Sequence, residues 1–102
     1  MIITLCGSTK FQEEFEKMNR KWTLNGHVVF SCGVFGHTEG IKFNMNTKLL
    51  LDDVHKRKID MSDAIFVINK NGYIGSSTQS EIDYARELGK TIYFLEWPDS
   101  YE

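Results

Sequence analysis

Two turns rich in glycine and hydroxyl side chains, and a glutamate after the second turn, are the residues of this chain best suited to chemistry. The first turn is Gly7-Ser8-Thr9-Lys10, which directly follows the apolar run M-I-I-T-L-C. The second turn is Gly75-Ser76-Ser77-Thr78, with Glu81 three residues further on. Glycine lets a ligand approach the backbone closely, and free amides at the start of a helix attract phosphates and polar ligand groups. Both turns are therefore predicted to bind substrate.

Each of these segments also has a purely structural interpretation. Neither turn contains G-x-x-x-x-G-K-[ST] or G-x-G-x-x-G, the two glycine-rich phosphate-binding motifs. Ser8 or Thr9 can cap a helix, and the second turn can be a flexible loop in which Ser77 or Thr78 does the same. Glu81 then occupies the capping-box position, bonded to the Thr78 amide. In the functional interpretation, the helix dipole keeps Glu81 ionised, and a carboxylate beside a crevice can act as a nucleophile.

A histidine and an aspartate one helical turn apart are the second candidate for chemistry. Asp52 lies three residues before His55, on the same face of the predicted helix. Such a pair can orient a base or transfer a proton; otherwise His55 is a surface residue of the polar run H-K-R-K. The three histidines show no ligand spacing and no Cys-x-x-Cys pair is present, so we expect no metal and no cofactor.

The elements that position these residues alternate between strand and helix. The run D-A-I-F-V-I-N is apolar on both faces, which is typical of a parallel strand covered on both sides. The second helix is predicted to be capped by Asn46 or Thr47 and to bury Leu50, Val54, Ile59 and Met61. The predicted strands are Met1–Cys6, His27–Cys32, Asp63–Asn69 and Thr91–Glu96, the predicted helices are Lys10–Asn25, 46–62 and Thr78–Leu88, and Gly33–Met45 is predicted to be a long loop.

This order predicts one α/β domain over residues 1–102. Alternating strands and helices imply right-handed crossovers and a parallel sheet. The simplest doubly wound arrangement of four strands is the order 2-1-3-4, a flavodoxin- or Rossmann-like three-layer sandwich. Ligands of such sheets bind where the strand order reverses, beyond the carboxyl ends of the strands. The two turns leave strands one and three, so we expect them to meet in one crevice.

The composition excludes several classes of protein. Hydrophobic residues make up 41% and charged residues 25% of the 102 residues, which is ordinary for a globular domain. A net charge of −2 argues against a nucleic-acid polymer as partner, and no run approaches the ~20 apolar residues that span a membrane. The apolar start has no basic n-region, so we expect no signal peptide and a cytoplasmic location. Cys6 and Cys32 can form a disulfide if their strands are neighbours, but two buried free thiols are favoured.

Three blocks of sequence carry a resemblance to a known family. They are I-T-L-C-G-S-T-K-F, H-K-R-K-I-D-M-S-D-A-I-F-V-I-N and N-G-Y-I-G-S-S-T-Q-S-E-I-D-Y-A-R-E-L-G-K-T-I-Y-F-L-E. The chain resembles the nucleoside 2-deoxyribosyltransferase superfamily, which includes deoxynucleoside monophosphate N-glycosidases. The resemblance implies that Glu81, in an E-x-G-x-A-like motif with Asp83 where glycine is common, is the nucleophile. It also implies a homodimer or larger assembly, in which a neighbouring subunit helps to complete the site.

Two departures from the family pattern shape the expected substrate. The family usually places an aspartate on the helix before strand three to handle the base. Here His55 is near that position, so we assign the role to His55 assisted by Asp52, with Asp60 as the other nearby carboxylate. In the family, the residue that contacts the 5′ end of the sugar is an acid or a serine, but here that position is Gly75. Ser76 or Ser77 is then left to contact the 5′ end, and hydroxyls in place of a carboxylate favour a 5′-phosphate. The aromatic residues Phe35, His37 and Phe43 of the long loop can stack on a base.

Two functions follow from the resemblance. The first is a hydrolase or transferase that cleaves or transfers the N-glycosidic bond of a (deoxy)nucleoside 5′-monophosphate or related nucleotide through Glu81. The alternative is a non-catalytic module that senses or sequesters a nucleotide or nucleoside in the same crevice. A flavin-binding flavodoxin-like protein is disfavoured, because Tyr73 is the only aromatic residue beside the candidate phosphate loop.

Overall fold

The computed structural model describes residues 1–36 and 40–98. A short 3₁₀ turn, Thr9–Phe11, precedes the first helix, and a second, Lys70–Gly72, follows the third strand. The strands are β1 (Ile2–Gly7), β2 (Val28–Phe30), β3 (Ala64–Ile68) and β4 (Thr91–Phe94), and the helices are α1 (Gln12–Leu24), α2 (Met45–Asp60) and α3 (Ser76–Glu87).

The sheet has the predicted topology. All neighbouring strands are parallel, and the order is β2-β1-β3-β4. Every residue of β3 is buried, which agrees with its unbroken apolar run. The direction of winding reverses between β1 and β3, so the segments that follow these strands flank the same point of the carboxyl edge. The α/β fold with a four-stranded parallel sheet is therefore confirmed.

The two faces of the sheet pack against different helices. Successive side chains of β1 point to opposite faces, so Leu5 lies on the α1 face and Cys6 on the face covered by α2 and α3. The core of the α1 face is Ile3, Leu5, Phe11, Phe15, Phe66 and Ile68. The core of the α2/α3 face is Cys6, Ile59, Ile65, Val67, Ile82, Ala85, Ile92 and Phe94.

Helix α2 starts earlier and buries fewer apolar residues than its sequence predicts. Its cap is Asn44, whose side chain accepts a hydrogen bond from the Thr47 amide at 2.8 Å, and not Asn46 or Thr47. Leu50 and Met61 are 58% and 59% exposed, so the prediction that they are buried is wrong. The inner face of the helix follows the spacing of His55 and Ile59, which are its buried residues.

Other boundaries also differ from the predictions. Helix α1 begins at Gln12 because the 3₁₀ turn Thr9–Phe11 takes up the chain after the Ser8 cap. Strand β2 has only three residues, and the predicted strand residues Ser31 and Cys32 lie beyond it. Among the described residues, no helix combines the length and the apolar character that crossing a bilayer requires.

Candidate functional site

A crevice of about 870 Å³ lies at the carboxyl edge of the sheet, where β1 and β3 end. The first turn contributes Gly7, Ser8 and Thr9 to its lining. The second turn contributes all four of its residues, from Gly75 to Thr78, and α3 contributes Glu81. Helix α2 supplies Asp52 and His55 to the same lining. The structure therefore brings together the predicted site residues, with the exception of Lys10.

In the first turn, Gly7 allows β1 and β3 to approach closely. A Cβ atom at this position would lie 2.7 Å from the carbonyl oxygen of Ile68, which is closer than real Cβ contacts come. Ser8 caps the following 3₁₀ turn, and its hydroxyl accepts a hydrogen bond from the Lys10 amide at 3.3 Å. The Lys10 ammonium lies 3.5 Å from the centre of the Tyr73 ring. Lys10 thus supports an aromatic residue of the crevice by a cation–π contact.

The second turn opens helix α3 with backbone amides that have no partner within the helix. Helix α3 is capped by Gly75, which offers no side chain, and its first hydrogen bond joins the Gln79 amide to the Gly75 carbonyl. The amides of Ser76, Ser77 and Thr78 precede this bond and have no partner within the helix. The prediction that Ser77 or Thr78 caps this helix is wrong, because the extended backbone of Gly75 lets the helix start earlier. Glu81 then lies in the second turn, outside capping-box reach.

Three polar side chains meet at the inner wall of the crevice. The Cys6 thiol sulphur is 3.4 Å from His55 Nε2, and His55 Nε2 is 3.7 Å from Glu81 Oε1. The Cys6 sulphur and a Glu81 carboxylate oxygen lie within 4.8 Å of each other. The side chains of His55 and Glu81 are 11% and 12% exposed, and Cys6 is fully buried. We call these three residues the Cys6–His55–Glu81 cluster.

Burial controls the charge of this cluster. It raises the pKa of Glu81 from 4.5 to about 7, and the charge of Asp52 adds to the rise. The neighbouring Cys6 thiol and the positive charge of Lys56 lower the pKa of Glu81 and so oppose this rise. Burial lowers the pKa of His55 from 6.5 to about 4, and the positive charge of Lys58 lowers it further. His55 is therefore neutral at pH 7, and its contact with Glu81 is not an ion pair at that pH.

The two cysteines are free thiols. Cys6 is buried as predicted, whereas Cys32 is only partly buried and lines the crevice. Burial raises the pKa of Cys6 well above its usual range, and the nearby Glu81 charge raises it further. The same two causes raise the pKa of Cys32 to about 11. Both thiols are therefore protonated at neutral pH.

The predicted partners of His55 have other neighbours. Asp52 is exposed, and among the described residues no hydrogen bond or ion pair joins it to His55. In the site, the negative charge of Asp52 raises the pKa of Glu81. Asp60 accepts a hydrogen bond from the Tyr84 hydroxyl at 2.5 Å and does not line the crevice. Within the part of the chain that the structure describes, Asp52 thus acts on Glu81 through its charge and is not hydrogen-bonded to His55.

The aromatic residues of the predicted loop divide between the core and the crevice. Phe43 lines the crevice. Phe35 packs in the α1-face core, with its ring 5.4 Å from that of Phe15, so the prediction that it stacks on a base is wrong. It follows β2 on the α1 face of the sheet, where its partly buried ring packs against the apolar core. His37 lies outside the described residues. Tyr73, which the sequence analysis did not assign to substrate, lines the crevice.

Comparison with known proteins adds no family assignment. No protein-family model, no curated protein and no solved structure matches this chain. Cys6 is the main site residue that the sequence analysis missed. The one signal for it is its position as the last residue of an apolar run, directly before Gly7 and the first turn.

Proposed function

We propose that this protein cleaves or transfers the N-glycosidic bond of a (deoxy)nucleoside 5′-monophosphate, with Glu81 as the nucleophile. The supporting observation is the juxtaposition, in one crevice, of a buried carboxylate and the unpartnered amides that open α3. A carboxylate and an anion site on one wall suit a substrate with a reactive sugar carbon at one end and a phosphate at the other. The family resemblance of the sequence motifs points to the same chemistry.

In this proposal the reaction has two steps. The Glu81 carboxylate attacks the anomeric carbon as the bond to the base breaks, through an oxocarbenium-like transition state. The base leaves with the bonding electron pair and takes a proton from the solvent that the open crevice admits. Water or a second base then displaces Glu81 from the glycosyl ester and restores the carboxylate. His55, neutral at pH 7 and 3.7 Å from Glu81, is a positioning residue in this scheme.

The phosphate fits the start of α3. Free amides and the positive end of the helix dipole attract anions, and the exposed hydroxyls of Ser76 and Ser77 add hydrogen-bond donors. Lys42 and Lys48 also line the crevice and add positive charge to its lining. A carboxylate in place of Gly75 would repel a phosphate, and this chain has none there.

The raised pKa of Glu81 gives the proposed reaction a distinct pH dependence. Only the ionised carboxylate is a nucleophile, and with a pKa of about 7 it is half protonated at neutral pH. The rate is therefore expected to rise as the pH increases through about 7 and to level off above it. The pH profile of base release by the purified protein measures this dependence.

A second candidate function is nucleotide binding without catalysis. It is favoured by one observation: His55 is neutral at pH 7, so among the described residues the cluster offers no cationic acid to protonate a departing base. The crevice would then sense or sequester the nucleotide. Glu81 would act as a buried hydrogen-bonding group.

The homodimer that the resemblance implies is part of the same proposal. Ile41, Met45 and Leu49 are exposed apolar side chains that line the crevice at its rim. A second subunit seated there would remove apolar surface from water and close the open side of the site. Sedimentation equilibrium is expected to give a dimer, and a monomer at all concentrations would contradict this part of the proposal.

The decisive experiment incubates the protein with a panel of nucleosides and 5′-nucleotides and follows free base by chromatography. We expect release from a 5′-monophosphate, and Glu81→Gln is expected to lower the rate at least about 10⁴-fold, because loss of a nucleophile removes the covalent route. Glu87→Gln is the matched control, since Glu87 is exposed on the same helix. Thermal stabilisation by a nucleotide without base release would favour the binding module. The absence of both would contradict the two functions.

A further inference from the structure

The Cys6–His55–Glu81 cluster combines three different metal-ligating atoms that come from three separate elements. Cys6 ends the buried part of β1, His55 lies on the inner face of α2, and Glu81 lies on α3. Their thiol sulphur, imidazole Nε2 and carboxylate oxygen all lie within 4.8 Å of one another. A buried sulphur, nitrogen and oxygen donor set is a typical ligand set for Zn²⁺.

The spacing of these atoms is close to that of a tetrahedral zinc site. Zinc bonds of about 2.3 Å to sulphur and about 2.0 to 2.1 Å to nitrogen and oxygen place neighbouring ligand atoms about 3.3 to 3.6 Å apart. The observed separations are 3.4 Å between Cys6 Sγ and His55 Nε2 and 3.7 Å between His55 Nε2 and Glu81 Oε1. Rotation of the Glu81 carboxylate is the main adjustment that a bound ion requires.

We propose that the Cys6–His55–Glu81 cluster binds one Zn²⁺ ion and that the ion blocks the crevice for the reaction proposed above. Cys6 releases its thiol proton to the solvent and binds as the thiolate, while His55 binds through the lone pair of Nε2. His55 and Glu81 line the crevice, so the fourth coordination position faces it and takes a water molecule. Three protein ligands and one open position are the arrangement of accessible zinc sites.

The surroundings of the cluster favour the metal. The His55 ring donates a hydrogen bond to the backbone of Leu5. Such a bond to a backbone carbonyl orients a metal-binding histidine and leaves its other nitrogen free for the ion. The thiolate and the carboxylate together balance the charge of Zn²⁺. The bound site is therefore neutral, which lowers the free-energy cost of burying its charges.

Metal binding and the proposed catalysis exclude each other. A zinc ion bound to Glu81 neutralises the charge of the carboxylate, which makes it a weaker nucleophile, and the ion occupies the space that the sugar carbon would have to enter. Zinc is thus expected to inhibit base release, and a chelator is expected to restore it. This consequence rests on the proposed function, but the metal site itself does not.

The test uses the full-length, chelator-treated protein and the metal alone, without substrate. Co²⁺ is expected to give the thiolate charge-transfer band and the intense visible bands of tetrahedral coordination, and Zn²⁺ is expected to displace it stoichiometrically. Competition with a chelating indicator then gives the Zn²⁺ affinity. Cys6→Ser and His55→Gln are expected to lower it at least about 100-fold, because even loss of a second-shell partner costs about 10- to 100-fold.

Matched controls make the assignment specific. Cys32→Ser is expected to keep the cobalt charge-transfer band that Cys6→Ser abolishes, and His27→Gln is expected to keep the zinc affinity that His55→Gln lowers. Circular dichroism checks that each variant is folded, and His55→Gln carries the test if Cys6→Ser is not. Equal loss in His27→Gln, or a band that survives in Cys6→Ser, would overturn the assignment. Absence of tetrahedral cobalt bands in the unmodified protein would overturn the site itself, whether or not base release is found.

Discussion

The two faces of the sheet are built from the same strands but differ in what they bury. The buried core residues of the α1 face, Phe15 among them, have aliphatic or aromatic side chains. The α2/α3 face has an equally apolar interior but carries Cys6, His55 and Glu81 at its carboxyl end. The comparison shows that the α1 face contributes stability, whereas the α2/α3 face is less stabilising because it keeps ionisable groups away from water.

The shifted pKa values of Glu81 and His55 indicate how much stability this face loses by burying them. Glu81 is harder to ionise and His55 is harder to protonate than either would be in water, and burial is the largest cause for both. At a pH where Glu81 or His55 is charged in the unfolded chain but neutral in the folded protein, the shifted pKa lowers the free energy of unfolding. Among the described residues, the buried core of the α1 face holds no carboxylate and no histidine. The predictions below separate the two faces.

The largest effect is expected from a truncation on the α1 face. Phe15 is 1% exposed, and Phe15→Ala is expected to lower the free energy of unfolding by about 3 to 5 kcal/mol through lost burial and a cavity. Leu24→Ala is the control on the same helix, because Leu24 is 80% exposed and its loss should change stability by no more than about 0.5 kcal/mol. Urea denaturation at neutral pH measures both. Similar effects of the two variants would contradict the assignment of this core.

The next largest effect is the pH dependence of stability that Glu81 and His55 cause on the α2/α3 face. The pKa of Glu81 rises on folding from 4.5 to about 7, so Glu81 lowers stability progressively as the pH increases between these values. The pKa of His55 falls from 6.5 to about 4, so His55 lowers stability as the pH decreases between these values. Each contribution amounts to about 3 kcal/mol. The two slopes oppose each other between pH 4.5 and 6.5, and we expect the unmodified protein to show little dependence on this pair there.

Single variants should reveal each slope. Glu81→Gln is expected to leave the His55 slope, so that stability falls as the pH drops from 6.5 towards 4. His55→Gln is expected to leave the Glu81 slope, so that stability falls as the pH rises from 4.5 towards 7. Urea denaturation across this range, compared with Glu87→Gln, measures the difference. Parallel pH profiles for Glu81→Gln and His55→Gln would contradict the opposite shifts.

A smaller effect on stability is expected at Gly7, where the backbones of β1 and β3, which both faces share, lie close together. Gly7→Ala places a Cβ atom 2.7 Å from the Ile68 carbonyl oxygen, and relieving this clash should lower stability by roughly 1 to 3 kcal/mol. Gly33→Ala is the control, because a Cβ atom there meets nothing within 4 Å. Thermal denaturation compares the two. Equal stability of both variants would show that β1 and β3 do not need glycine at this point.

The smallest effect is expected at the Ser8 cap. Ser8→Ala removes the side-chain hydrogen bond to the Lys10 amide and should lower stability by about 1 kcal/mol. Ser80→Ala is the control, since Ser80 is exposed within α3 and alanine is at least as favourable there. A loss of nucleotide-induced stabilisation beyond this amount would assign Ser8 to the ligand as well as to the cap. No change in either quantity would contradict both roles.

Much of the fold follows from local patterns. Apolar runs separated by helical periodicity predict the four strands and three helices, and short right-handed connections then restrict the strand order to 2-1-3-4. The boundaries follow less well. Leu50 and Met61 fit a helical period but face solvent, because the position of α2 on the sheet, and not its own periodicity, decides which of its sides is covered.

For the site, the sequence by itself determined that both turns leave neighbouring parallel strands, so Gly7–Thr9 and Gly75–Thr78 had to meet at one edge. Only the tertiary structure decided that Cys6, His55 and Glu81 would touch. These residues lie 49 and 26 positions apart along the chain, and a rotation of either helix would separate them. Their pKa values belong to the tertiary structure for the same reason: burial is a property of the neighbours that surround a group, which no local pattern specifies.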